Sequence, residues 1–194
     1  MRAPERVTLT GPHVRLEPIG ERHRDHLLAA AAEDPVTFRY MGTDLSIGSE
    51  AWPGYLADAL RPDFVTWATV LTSTGRAIGS SRFGDISPAD GRLEIGWTWI
   101  APSQQRTAAN TEAKLLQLTY AFETLGATRV ALKTDARNER SQRAIERIGG
   151  VREGVLRHHL RLPDGHLRDT VYYSILADEW PAARARLEKR LASD

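Results

Sequence analysis

Two stretches of this sequence join a β-rich run to a helical one through polar residues able to do chemistry. The first begins with Leu93-Glu94-Ile95-Gly96-Trp97-Thr98-Trp99-Ile100 and continues through Ser103-Gln104-Gln105-Arg106-Thr107-Ala108-Ala109. It enters a helix expected to start near Asn110-Thr111-Glu112. A helix N-terminus presents unpaired N–H groups and the positive end of its dipole, so a loop of small residues leading into one suits an anion such as a diphosphate. Arg106 adds a fixed cation. The plainer alternative is that Asn110 or Thr111 is an ordinary helix cap, and Glu112 repels phosphate unless it points away. The second stretch, Thr134-Asp135-Ala136-Arg137-Asn138-Glu139-Arg140-Ser141, again joins a strand to a helix. Asn138 offers both a donor and an acceptor, and Ser141 offers a hydroxyl proton. Here too Asn138 has a structural alternative, as the cap of the helix that follows.

These stretches need a framework, and the rest of the chain supplies one. Length and composition fit one domain spanning 1–194, with 41% hydrophobic and 26% charged residues. A formal charge of +1 argues against nucleic acid as a partner, and no run approaches the length of a membrane span. Cysteine is absent, which removes thiolate catalysis and zinc–cysteine sites, and the scattered histidines lack metal spacing, so no metal is expected. The cytoplasm is the expected location.

Periodicity gives the order β, α, α, β, β, β, α, β, α, β, β, α. An early strand holds Val14, Leu16 and Ile19, helices cover 21–33 and 52–60, and an antiparallel meander covers 65–71, 77–86 and 92–100. Leu115, Leu118, Phe122 and Leu125 share one helical face before Gly126. A strand at 129–134, a helix at 140–148, two strands at 151–162 and 167–176 and a terminal helix from about Asp178 complete the chain. A meander feeding a strand–helix–strand crossover implies a mixed sheet covered by helices, with a ligand where strand ends diverge.

Taken together, Glu94-Ile-Gly-Trp97, Gln105-Arg-Thr-Ala-Ala-Asn-Thr-Glu-Ala-Lys114, Asn138-Glu-Arg-Ser141, Glu153-Gly-Val-Leu-Arg157, Arg168-Asp169 and Glu179-Trp-Pro181 resemble the GNAT superfamily of N-acetyltransferases. The likeness is strongest to the branch of Rim-type ribosomal-protein N-terminal acetyltransferases. It implies an α/β (α+β) fold: a mixed, mostly antiparallel sheet of about seven strands flanked by helices, with one splayed parallel pair. That pair would be 94–100 and 129–134, with acetyl-coenzyme A held between. By resemblance, backbone groups of Trp97, Thr98, Trp99 and Ile100 bind pantetheine and polarise the thioester. Gln105, Arg106, Thr107, Ala108, Ala109, Asn110 and Thr111 take the pyrophosphate, and Asn138 and Ser141 complete the cofactor set. The family pattern there, Q/R-x-x-G-x-G/A, is broken: Ala108 and Asn110 stand where glycines are expected. The loop then binds through ordinary φ angles, or it has lost affinity.

The resemblance also implies the chemistry, direct attack of a neutral primary amine on the thioester. Glu94 is the expected proton acceptor, its alternative being an ion pair with a neighbouring-strand arginine such as Arg82. Ser141 is the expected partner of the departing thiolate, since the segment 138–148 holds no tyrosine. Of His158 and His159, neighbours on one strand, only one could face the cleft. Trp52, Tyr55, Trp67, Trp97 and Trp99 either line the acceptor pocket or fill the core, and the irregular segment 34–48 with the 163–165 turn is the expected place of acceptor recognition. Expected partners are acetyl-coenzyme A, an amine (a protein or peptide N-terminus, or a small amine) and a second copy of the chain, since members often dimerise. A catalytically silent coenzyme-A sensor is the other reading left open by Ala108 and Asn110.

Overall fold

The computed structural model describes residues 1–193. The β-branched and aromatic runs form strands β1 (Leu9–Thr10), β2 (Val14–Pro18), β3 (Val65–Leu71), β4 (Ala77–Ser87), β5 (Arg92–Ile100), β6 (Arg129–Asp135), β7 (Val151–Arg161) and β8 (Leu167–Leu176). They make one sheet of eight in the order β1-β2-β3-β4-β5-β6-β8-β7. Every neighbouring pair is antiparallel except β5 and β6. The eighth strand, β1, is a two-residue addition to the expected seven, recruited by pairing with Leu16 and Arg15.

Helices α1 (Arg24–Ala31), α2 (Trp52–Ala59), α3 (Ala108–Thr119), α4 (Glu139–Arg147) and α5 (Trp180–Leu191) cover the sheet. On one face α3, α4 and α5 bury Phe83, Leu93, Val130, Leu132, Tyr173 and Ile175. Tyr120 stacks on Phe83 at 6.1 Å, and the Tyr173 hydroxyl donates to Glu146 of α4 at 3.2 Å. Leu118, Phe122 and Leu125 are buried as their shared helical face predicts, whereas Leu115, the fourth residue of that face, is only half-buried. Against the other face, α2 is tied down by polar contacts. Thr66 Oγ1 donates to the Ala59 carbonyl at 2.7 Å, and Arg82 pairs with Asp58 at 2.8 Å.

The five aromatic candidates divide between these layers. Trp52, Tyr55, Trp67 and Trp99 are core residues. Only Trp97 stays half-buried on the α2 face.

Candidate active site

The parallel pair is short. β5 and β6 are in register only where Arg92–Glu94 faces Arg129–Ala131, and beyond Glu94 they part. The cause lies in β5. Arg82 opposes Gly96 and Ser80 opposes Trp99, so Ser81 stands against both Trp97 and Thr98. Trp97 takes a φ of +50°. A bulge of this kind bends its strand and sharpens the local twist. Gly84 makes it possible: a Cβ there would sit 2.8 Å from the Trp97 ring. The backbone from Trp97 to Ile100 therefore has no ladder partner in β6.

The next chain segment closes one end of that gap. α3 starts at Ala108, with Thr107 as its cap, accepting from the Ala109 N–H at 3.3 Å. That is earlier than the expected start at Asn110 and Thr111, which instead lie inside the first turn. Neither glycine-replacing residue is strained. Ala108 and Asn110 are helical, and the left-handed residue of the loop is Arg106, at φ +65°. The amides of Arg106, Thr107 and Ala108 meet no carbonyl elsewhere among the described residues. Glu112 does point away. Its Oε2 accepts from the His13 and Val14 amides at 2.7 and 2.6 Å, and Gly11 is required beneath it because a Cβ there would meet the carboxyl at 2.5 Å.

Asn138 is the cap of α4, its Oδ1 accepting from the Ser141 N–H at 3.1 Å. Its amide nitrogen and the Ser141 hydroxyl make no hydrogen bond among the described residues. α4 is tied to the other loop through Arg140, which donates to Gln105 Oε1 at 2.8 Å. Gln105 Nε2 reaches back to the Ile100 carbonyl at 3.4 Å. Two strand–helix junctions far apart in sequence are thus joined at the splayed end of the sheet.

Charged side chains occupy the α2 face of the same gap. Glu94, 2% exposed, pairs with Lys133 of β6 at 2.8 Å. The anticipated alternative partner, Arg82, is taken by Asp58. Burial raises the Glu94 carboxyl above its usual range, and Lys133 opposes that rise. The Lys133 ammonium lies 5.5 Å from the Trp97 ring centroid and 5.8 Å from that of Tyr172. Of the two histidines, His158 is exposed on a second bulge. His159 stands with its ring edge on Tyr172 and its Nδ1 3.1 Å from Thr170 Oγ1. Burial first, then Lys133 and Arg168, pushes His159 below its usual value, which favours neutral imidazole at pH 7.

Three residues of this region had no site role in the sequence reading, although Lys114 and Arg168 stand in the segments that carry the family resemblance. Lys133 and Arg168 follow from strand alternation, since Lys133 opposes Tyr172 and Arg168 is four residues back along β8 on the same face. Lys114 gave no such signal. It is buried in α3, donating to Ser81 Oγ, Thr98 Oγ1 and Gln117 Oε1 at 2.9, 2.7 and 3.0 Å, with no carboxylate partner among the described residues. Burial pushes it down to about 7. Thr98 spends its hydroxyl on this cluster, and Trp99 donates its indole N–H to Tyr55 at 2.9 Å while its backbone pairs with Ser80 of β4.

Residues 13–151 match the family described as "Acetyltransferase (GNAT) domain". The chain belongs to the GNAT acetyltransferase family. Within it, this GNAT enzyme is 37% identical over 110 residues to "Putative ribosomal N-acetyltransferase YdaF" of Bacillus subtilis, a span of 57% of this chain and 59% of that protein. The chain thus spans about three fifths of that curated relative's length. A GCN5-related N-acetyltransferase from Brucella melitensis superposes with a TM-score of 0.92 at 32% identity, covering 97% of this chain and 86% of that one. Mycobacterium smegmatis RimJ, solved in complex with CoA-disulfide, shares the fold with a TM-score of 0.81 at 24% identity, covering 98% and 97%. The GNAT resemblance holds, and the mixed sheet with one parallel pair is the GNAT fold.

Proposed function

We propose that this GNAT enzyme transfers an acetyl group from acetyl-coenzyme A to a primary amine while both are bound. The observation that carries the reading is the set of unpaired amides at Arg106, Thr107 and Ala108, displayed at the start of α3 beside the gap between β5 and β6. Backbone N–H groups at a helix N-terminus suit a diphosphate whatever the side chains are. An alanine in ordinary helical conformation keeps its donor, so the missing glycines do not count against binding. Gln105, Arg106, Ala109, Asn110, Thr111 and Asn138 border the same junction, and the RimJ structure with bound CoA-disulfide lends support from a shared fold.

When bound, the cofactor supplies a thioester carbon open to attack by a neutral amine. The chain's own residues then have three tasks. The β5 backbone groups between Trp97 and Ile100 that face away from β4 hold the pantetheine arm and polarise the carbonyl, a preorganised arrangement that needs no reorganisation during reaction. Glu94 accepts the proton the incoming amine must lose, since burial raises its affinity for one, with Lys133 opposing that rise. Ser141, its hydroxyl unengaged, donates a hydrogen bond to the leaving sulfur. The reading places the enzyme in the cytoplasm, without metal. Exposed Val151, Val155, Leu156 and Leu160 on the edge strand β7 favour a second copy as a packing partner.

Calorimetric titration with coenzyme A, followed by thiol release from acetyl-coenzyme A across a panel of amines, tests this. Saturable heat with turnover is the expected result. Saturable heat without turnover of any amine would make the chain a silent binder, and no heat at all would end the assignment.

A further inference from the structure

On the face of the sheet that carries Glu94, the charges are paired off one by one. Lys133 has Glu94 at 2.8 Å, Arg82 has Asp58 at 2.8 Å, and Arg137 has Asp135 at 2.7 Å. Arg168 has no carboxylate within 4 Å among the described residues. It is 9% exposed, and its sole hydrogen bond there is one long contact, 3.4 Å from Nη1 to the Tyr40 carbonyl. Its Nε is buried with no partner. A guanidinium carries five N–H donors in a planar fork, and leaving buried donors unpaired costs stability. His159, beside it on the same face, is disposed to be neutral. One buried positive charge therefore remains without a carboxylate in contact, with Asp135 and Glu94 acting on it only from beyond 4 Å.

Its position is specific. Along β8, Thr170 opposes Asp135 and Tyr172 opposes Lys133, so Arg168 continues the row that includes the Glu94 partner. The charges of Glu94 and Arg168 act on each other. The segment 34–48, which comes over this face through Tyr40, covers Arg168 from the other side, with the Tyr40 ring sandwiched toward Arg137 at 5.3 Å. An acceptor whose amine approached Glu94 would lie along this row, between Trp97 and Tyr172 and toward Arg168.

We infer that Arg168 is the docking point for a carboxylate on the acceptor, so that the preferred substrate is an amine carrying a carboxylate a few bonds from its reacting nitrogen. The inference rests on the acetyl-transfer reading above. Such a molecule completes both halves of the site: its ammonium meets the Glu94 side, and its carboxylate takes the unpaired donors of the guanidinium in the forked geometry arginine favours. A free amino acid presents this pair of charges through its own carboxylate. A peptide N-terminus presents it through an aspartate or glutamate side chain near the first residue.

Paired acceptors test it: free amino acids against their amides, and peptides with Glu at the second position against the same peptides with Gln. Thiol release should favour the acid over its neutral partner about ten-fold or more in kcat/KM in at least one of the two series, through KM, as expected when a charge-assisted hydrogen bond is lost. Which series shows the preference identifies the source of the carboxylate. In Arg168→Gln the preference should fall toward one, and Arg168→Lys should restore part of it, a graded response that a folding defect would not give. Equal rates with acid and amide in both series overturn the inference while leaving acetyl transfer intact. If coenzyme A binds but no amine is turned over, the acetyl-transfer reading fails. The carboxylate site is then read by thermal shift with coenzyme A present, where equal shifts from acid and amide overturn it.

Discussion

The two sides of the gap between β5 and β6 are built from different materials. On the side of α3 and α4 the exposed groups are backbone amides, a serine hydroxyl and the half-engaged amide of Asn138. The side of α2 and the 34–48 segment is instead lined by ions: Glu94, Arg82, Asp135 and Arg168 are buried, and Lys133 and Asp58 are half-buried. A backbone site survives sequence change because every residue except proline keeps its N–H. A site of buried ions does not, because removing one partner strands the other in low dielectric. The cofactor side should therefore tolerate substitution, and the acceptor side should not.

The largest break in that contrast is expected at Glu94. Glu94→Gln removes the proposed proton acceptor and leaves Lys133 unpaired. Turnover by thiol release should fall by about 10²-fold or more, the low end of what a positioned acid–base group supplies. His159→Ala should cost far less, because its Nδ1 is already directed at Thr170 Oγ1. If the two effects came out reversed, His159 would be the proton acceptor and Glu94 a structural partner of Lys133.

The cofactor side holds a buried cation of its own, Lys114, beneath Thr98. Its folded value is about 7, against an ordinary 10.5, so between these values the unfolded chain binds more protons than the folded one. Stability from this group is then present above pH 10.5 and lost as pH falls through about 7. Three accepting oxygens offset part of the burial. Chemical denaturation should show wild type gaining on the order of 2 kcal/mol between pH 7 and pH 9 relative to Lys114→Met. A flat difference across that window would mean that Lys114 keeps its proton, with Ser81, Thr98 and Gln117 acting as a full solvation shell.

The same contrast explains what could be read from the sequence. Strands, helices and their order follow from local periodicity, and the parallel pair from the crossover that α3 makes between β5 and β6. Thr107 to Asn110 and Asn138 to Ser141 were legible as junctions because a loop and the helix it enters are neighbours in sequence. The start of α3 was misplaced by two residues because Thr107, Asn110 and Thr111 are all competent caps, and only the chain path selects Thr107. The ion pairs were not legible. Glu94 is matched to Lys133 by strand register across a connection containing all of α3, and Arg82, the example of an alternative partner that sequence offered, lies diagonal to Glu94 on the same face and is taken by Asp58. Arg168 becomes unusual only once every neighbouring charge has been assigned.

A smaller effect is expected at Ser141. Its hydroxyl is a weak acid, so a hydrogen bond to the departing thiolate, rather than full proton transfer, is the larger part of its role. Ser141→Ala should lower kcat by about ten-fold, the worth of one hydrogen bond to a charged atom, with KM for acetyl-coenzyme A little changed. Because the Ser141 amide, not its side chain, holds the Asn138 cap, the melting temperature should stay near wild type. A loss in KM alone would move Ser141 from the reacting sulfur to the cofactor's binding contacts.

The smallest effect belongs to the residues that first looked most damaging. Ala108→Gly restores the family glycine, yet Ala108 is the first residue of α3 and already has a helical backbone. Glycine has no strain to relieve there, and it is worse than alanine in a helix by up to about 1 kcal/mol, less at the first turn. Affinity for coenzyme A by calorimetry should therefore change by less than about three-fold, since both residues carry the same N–H and a three-fold change is well under 1 kcal/mol. Thr107→Ala, by contrast, deletes the hydroxyl that accepts from Ala109 and should cost about 1 kcal/mol of stability. A tighter Kd for Ala108→Gly by ten-fold or more would mean that the bound loop adopts a conformation alanine resists, and the cofactor side would then be as exacting about its side chains as the buried ions opposite.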